Sequence, residues 1–113
     1  MKKCKINVLG TVYSITESNA QKDPNLAECD GYCDKTTKRI VITEKDKNCN
    51  LGNWQWYQNK LTRHEIIHAF MFESGLHENF KHSEWGQDET TVDWFAVQFP
   101  KMVIAFQKAG CLE

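Results

Sequence analysis

Trp54-Gln55-Trp56-Tyr57-Gln58-Asn59-Lys60-Leu61-Thr62-Arg63-His64-Glu65-Ile66-Ile67-His68-Ala69-Phe70-Met71-Phe72-Glu73-Ser74 is the stretch whose reading decides the fold. An apolar or motif residue recurs at 54, 57, 61, 64, 68 and 71, the i, i+3, i+4, i+7 stripe of an amphipathic helix. Gly75 follows as a suitable C′ residue. Thr62-Arg63-His64-Glu65 also matches a capping box, which would start the helix there. The stripe reaching back to Trp54 argues for the earlier start.

Inside this stretch lies His64-Glu65-Ile66-Ile67-His68, an H-E-x-x-H motif. Residues four apart on a helix sit about 40° apart around the axis and one turn apart along it. Both imidazoles can therefore reach one metal ion, with Glu65 beside them to deprotonate the attacking water. The flanking residues Ile66, Ile67, Ala69, Phe70, Met71 and Phe72 are apolar, which predicts a buried setting. Uncompensated His and Glu side chains would be costly there, and a metal gives a physical reason for them.

A catalytic zinc normally takes three protein ligands. Glu73, nine residues after His64, would point about 180° away from it on the helix and is rejected. Glu89, in Asp88-Glu89-Thr90-Thr91-Val92-Asp93, can be delivered by a second, antiparallel helix. Asp93 is one turn on and suits an outer carboxylate that orients a His ligand, His64 in the first instance. Glu89 is the preferred third ligand and His77 its rival. Two His and a carboxylate suit Zn²⁺.

Working outward, Ile6, Val8, Val12, Tyr13 and Ile15 show a β pattern interrupted at Leu9-Gly10-Thr11, which predicts a strand pair or one bent strand. Residues 17–30 read as a polar loop with one helical turn at most. Lys35-Thr36-Thr37-Lys38 reads as a turn, and Arg39-Ile40-Val41-Ile42-Thr43 as a strand. Residues 44–53 and 76–87 read as loops. A second helix is expected from near Asp88, where an acid suits the helix dipole. It runs at least to Phe99. Pro100 then kinks it or opens a new helical segment that Gly110 ends. Strands followed by helix, loop and helix predict an α+β class in a single domain, 1–113, with a small antiparallel or mixed sheet packed on the motif helix and a C-terminal helix. If the 39–43 strand lay at a sheet edge above the cleft, it could bind an extended peptide by strand addition.

The charge is nearly balanced, 14 basic against 15 acidic residues, giving no electrostatic reason to expect nucleic acid or an anionic membrane as partner. The apolar runs are too short to span a bilayer, and no signal-peptide pattern follows the basic start, so a cytoplasmic location is expected. Five cysteines, an odd number, argue against a disulfide framework. Cys29, Cys33 and Cys49 lack clean Cys-x-x-Cys spacing, and reduced, unligated thiols are expected.

His64-Glu65-x-x-His68 followed by Glu89-x-x-x-Asp93 resembles the gluzincin pattern. The wider order is Gly31-Tyr32-Cys33-Asp34, then the strand at 38–42, the motif helix and Glu89-Thr90-Thr91-Val92-Asp93-Trp94-Phe95-Ala96. It is similar to the ImmA/IrrE family of small bacterial and phage-borne metallopeptidases. Val92 and Asp93 stand where that family tends to carry Ala and Asn. The likeness spans roughly residues 31–100. It implies a minimal zincin-like fold and a zinc metallopeptidase that cuts a specific intracellular protein, such as a repressor or other regulator. His64, His68 and Glu89 would hold the zinc and Glu65 would act as base and then acid. His77, His82 and Tyr32 are candidate donors to the transition-state oxyanion. The alternative is a catalytically weak, zinc-bearing protein that docks a regulator without cleaving it.

Overall fold

The computed structural model describes residues 3–79 and 89–112. The chain is α+β. Four strands, β1 (Cys4–Val8), β2 (Thr11–Ser18), β3 (Gly31–Asp34) and β4 (Arg39–Thr43), form one mixed sheet in the order β1-β2-β4-β3. Two 21-residue helices follow, α1 (Trp54–Ser74) and α2 (Glu89–Ala109). Short 3₁₀ turns occupy Pro24–Ala27 and Leu76–Asn79.

The strand-pair alternative for residues 4–16 is the one adopted. Leu9 and Gly10 both have positive φ, 53° and 94°, as a primed two-residue hairpin loop requires. The Gly10 amide donates to Asn7 Oδ1 at 2.7 Å and closes the turn. β2 continues to Ser18, beyond the predicted strand, because it pairs in parallel with β4 up to Ser18–Thr43. β3 was not legible as a strand. Only four residues long, it is held by antiparallel pairing to β4, from Gly31–Ile42 to Asp34–Arg39.

That pairing corrects the expectation for residues 39–43. β4 lies inside the sheet between β2 and β3, and the edges belong to β1 and β3.

Side chains alternate across the pleat. Ile6, Val8, Tyr13, Ile15, Ile40 and Ile42 therefore share one face, against which Ile66, Ala69 and Phe70 of α1 and Met102, Ala105 and Phe106 of α2 close the core. Each fully buried side chain of this kind contributes on the order of 1.5–3 kcal/mol. α1 lies over β3 and β4, and α2 lies mainly over β1.

The bounds of α1 agree with the reading from sequence, but its buried face does not. The residues covered include Gln58, Asn59, Thr62, Glu65, Ile66, Ala69 and Phe70. The stripe through 54, 57, 61, 64 and 68 is exposed or half-buried. The polar members of the covered face are bonded: Gln58 Nε2 donates to Glu17 Oε2 at 3.1 Å and to the Thr43 carbonyl at 3.3 Å. Thr62 Oγ1 donates to the Gln58 carbonyl at 2.8 Å. Paired polar groups can be buried at little cost, so a period count on apolar residues misjudges this helix. α2 passes through Pro100 without ending, Pro100 being on the exposed side, and Gly110 terminates it at φ 66°. Among the described residues no helix is long and apolar enough to cross a membrane.

Candidate metal centre

The rotation and height of α1 are set from both ends. Asn53 caps its start, the side chain accepting from the Trp56 amide at 3.0 Å. Gly75 ends it in the left-handed conformation, φ 83°, which a side chain would strain. Arg63 Nη1 donates to the Cys111 carbonyl at 2.6 Å. At the last turn, Glu73 Oε2 accepts from Tyr13 Oη at 2.8 Å and from Lys38 Nζ at 2.9 Å. Glu73 is thus turned to the sheet, as its helical position predicts.

Held this way, α1 brings His64, Glu65 and His68 together. Their ligand atoms all lie within 4.8 Å of one another, and among the described residues no other group of His, Cys, Asp or Glu does this. The two Nε2 atoms are 3.1 Å apart. Two nitrogens bound tetrahedrally to one zinc at about 2.0–2.1 Å stand about 3.3–3.4 Å apart, so the pair fits a zinc edge with little adjustment. The same spacing lets one neutral imidazole donate to the other.

The three differ in burial. His64 is exposed, His68 half-buried and Glu65 buried. Burial pushes the Glu65 carboxyl up to about 7. Burial first, then the neighbouring His64 and His77, lower the His68 pKa, which favours the neutral imidazole that a metal requires.

β3 makes the wall over Glu65. A Cβ added to Gly31 would stand 3.5 Å from Glu65 Cγ, and 3.2 Å from both Ile42 Cδ1 and the Val41 carbonyl oxygen. Cys33, two residues on and on the same face, has its thiol pushed up to about 12, chiefly by burial and then by Glu65. All five cysteines are free.

Beyond the histidines is an aromatic step. The Phe72 ring stacks on His68 at 6.2 Å between centroids and meets His77 edge-on at 4.8 Å. Lys35 Nζ sits 5.2 Å from the centre of that ring. Gly31, Lys35 and Phe72 were not read as site residues from sequence. The glycine at 31 could have signalled a close backbone approach, but no strand was read there.

Of the other predicted site residues, Glu89 opens α2 and is exposed, and Asp93 is exposed one turn on. Neither belongs to the three-residue cluster. His77 stands beside Phe72 in the turn after α1, near enough to lower the His68 pKa. Tyr32 is placed elsewhere. Gly31 and Cys33 face α1, so Tyr32 points to the opposite side of the sheet, where its hydroxyl donates to Asp23 and accepts from Arg39 Nη2. It therefore drops out as an oxyanion donor. His82 and Asp88 lie outside the described residues. A groove of about 940 Å³, lined in part by Leu26, Asp30, Leu51, Trp54 and Tyr57, lies at the N-terminal end of α1; neither histidine lines it.

Comparison of the chain with protein-family models, with curated proteins and with solved structures finds no match. The function is therefore argued from the residues themselves.

Proposed function

We propose that this chain is an ImmA/IrrE-like zinc metallopeptidase with a minimal zincin-like fold, cleaving peptide bonds in one intracellular protein partner. The observation that carries the reading is the pair of Nε2 atoms 3.1 Å apart with the buried Glu65 beside them. His64 and His68 would hold the ion, Glu89 would supply the third ligand from α2, and Asp93 would orient a histidine from behind. When bound, the zinc would polarise the scissile carbonyl and acidify a water.

The remaining steps belong to side chains. Glu65 takes a proton from the attacking water as the C–O bond forms, then passes it to the departing amine as the C–N bond breaks. β3 covers the Glu65 side chain and limits water around it, which strengthens its interactions. His77, beside Phe72 and near enough to lower the His68 pKa, would donate to the oxyanion. The free edge of β3, rather than β4, is the strand to which an extended substrate would add. A nearly balanced charge supports a protein partner, such as a repressor or other regulator, over nucleic acid or membrane.

The test is metal content per chain by elemental analysis on wild type, His64→Ala and Glu89→Ala. About one zinc in wild type and a marked loss in both variants supports the reading. No zinc after loading sinks it.

A second reading is a zinc-bearing protein that docks a regulator without cutting it. It is favoured by the exposure of Glu89 and Asp93 outside the cluster, which leaves two ligands firmly grouped. Unchanged biological activity in Glu65→Gln would select it.

A further inference from the structure

We propose that Lys35 reads an acidic side chain of the substrate, held two or three residues from the scissile bond. The inference rests on the peptidase reading above and adds a substrate class to it.

The argument begins with direction. β3 and α1 lie side by side, Gly31 against Glu65 at one end and Lys35 against Phe72 at the other. Gly31 to Asp34 is extended, with Lys35 opening the turn that follows, and Glu65 to Phe72 is seven residues of helix, each about 10–13 Å, so the two elements run the same way. A peptide added to β3 therefore passes from the catalytic glutamate toward Lys35.

Distance comes next. Ring contacts of 5.2 Å and 6.2 Å join the Lys35 ammonium to the His68 imidazole through Phe72. That span is at most about three residues of extended peptide.

Charge decides the class. Asp34, next to Lys35 in the chain, and Glu73, next to Phe72, both bond to groups other than Lys35. Glu73 Oε2 accepts from Tyr13 and Lys38. Asp34 Oδ1 accepts from the Thr36 amide at 2.9 Å and the Thr36 hydroxyl at 2.5 Å. Lys35 is exposed and rests on an aromatic face, which steadies the ammonium, and among the described residues no carboxylate takes its donors. A substrate carboxylate satisfies those donors, and a substrate lysine is repelled.

The experiment uses zinc-loaded full chain and two sets of short peptide hydroxamates, one extending to each side of the metal. Each set carries Glu, Gln or Lys two or three residues out. Acetohydroxamate, which lacks a side chain, reports the metal centre alone. Titration in low salt should show the Glu compound of one set binding about threefold to fivefold tighter than its Gln counterpart. Lys35→Met should erase that margin and Lys35→Glu should reverse it in favour of the Lys compound. No margin in wild type, or an equal margin in Lys35→Met, overturns the inference while acetohydroxamate binding leaves the peptidase reading standing. Failure of every hydroxamate, acetohydroxamate included, removes both.

Discussion

Gly31 and Glu65 are in side-chain-to-backbone apposition: a Cβ on Gly31 would fall 3.5 Å from Glu65 Cγ. The edge strand and the motif helix come within van der Waals reach there. The fit is tighter still toward the Val41 carbonyl and Ile42 Cδ1, both at 3.2 Å, and a backbone oxygen yields little. Gly31→Ala should cost about 1–2 kcal/mol and Gly31→Val more, by overpacking. Thermal unfolding followed by circular dichroism checks this; an unchanged midpoint in both variants would show that Gly31 is not closely packed against Val41 and Ile42 of β4.

Glu65→Gln keeps a side chain of the same size but removes the base. Zinc content should stay near wild type while peptide hydrolysis falls about 10²–10⁴-fold. His64→Ala and His68→Ala should instead lose the zinc. Elemental analysis together with product mapping by mass spectrometry separates the two patterns.

The third ligand is decided by comparing Glu89→Ala with His77→Ala. Loss of zinc affinity in Glu89→Ala, about 10-fold or more, with little change in His77→Ala, is the expected result. His77→Ala should lower turnover instead, as an oxyanion donor would. The opposite pattern in competition titrations against a chelator would move the ligand to His77 and withdraw the gluzincin assignment.

Glu73 ties the end of α1 to β2 and to the turn before β4. Lys38 first, and then Tyr13, hold its carboxyl below the usual range against an opposing burial effect. A depressed folded-state pKa stabilises the protein above the unfolded value of about 4.5 and loses that contribution as pH falls. Glu73→Gln should therefore lower stability by about 1–2 kcal/mol at pH 7. The gap to wild type should narrow as the pH drops from 5 toward 3. Urea unfolding at several pH values reads this. Tyr13→Phe, which removes one donor at 2.8 Å, should cost about 0.5–1.5 kcal/mol.

The parts of the fold legible beforehand were those governed by local chemistry. α1 runs from Trp54 to Ser74 and stops at Gly75: its start was read from the stripe reaching back to Trp54 and its end from the glycine, while the Asn53 cap emerged only in the structure. Arg39–Thr43 is a strand because four β-branched residues, Ile40 to Thr43, stand in a row. The His64, Glu65 and His68 grouping needed nothing beyond the pitch of one helix.

What depended on pairing and packing between elements was not legible. β3 is four residues with no alternating pattern, and only pairing with β4 makes it a strand and places it at the edge. That same pairing sent Tyr32 to the far face, away from the motif helix. The covered side of α1 was misjudged because Gln58 and Thr62 are buried by bonds to Thr43 and to the helix backbone, which a hydrophobic count does not register. Sequence alone therefore determined the helices, the strand at 39–43 and the grouping of His64, Glu65 and His68, since each follows from residues within a few positions of one another. Tertiary structure alone decided which strand lies at the edge, which residue covers Glu65 and that Lys35 stands over Phe72. The edge follows from β4 inserting between β2 and β3, and the other two relations from packing between residues more than 30 positions apart, where local propensity has no say.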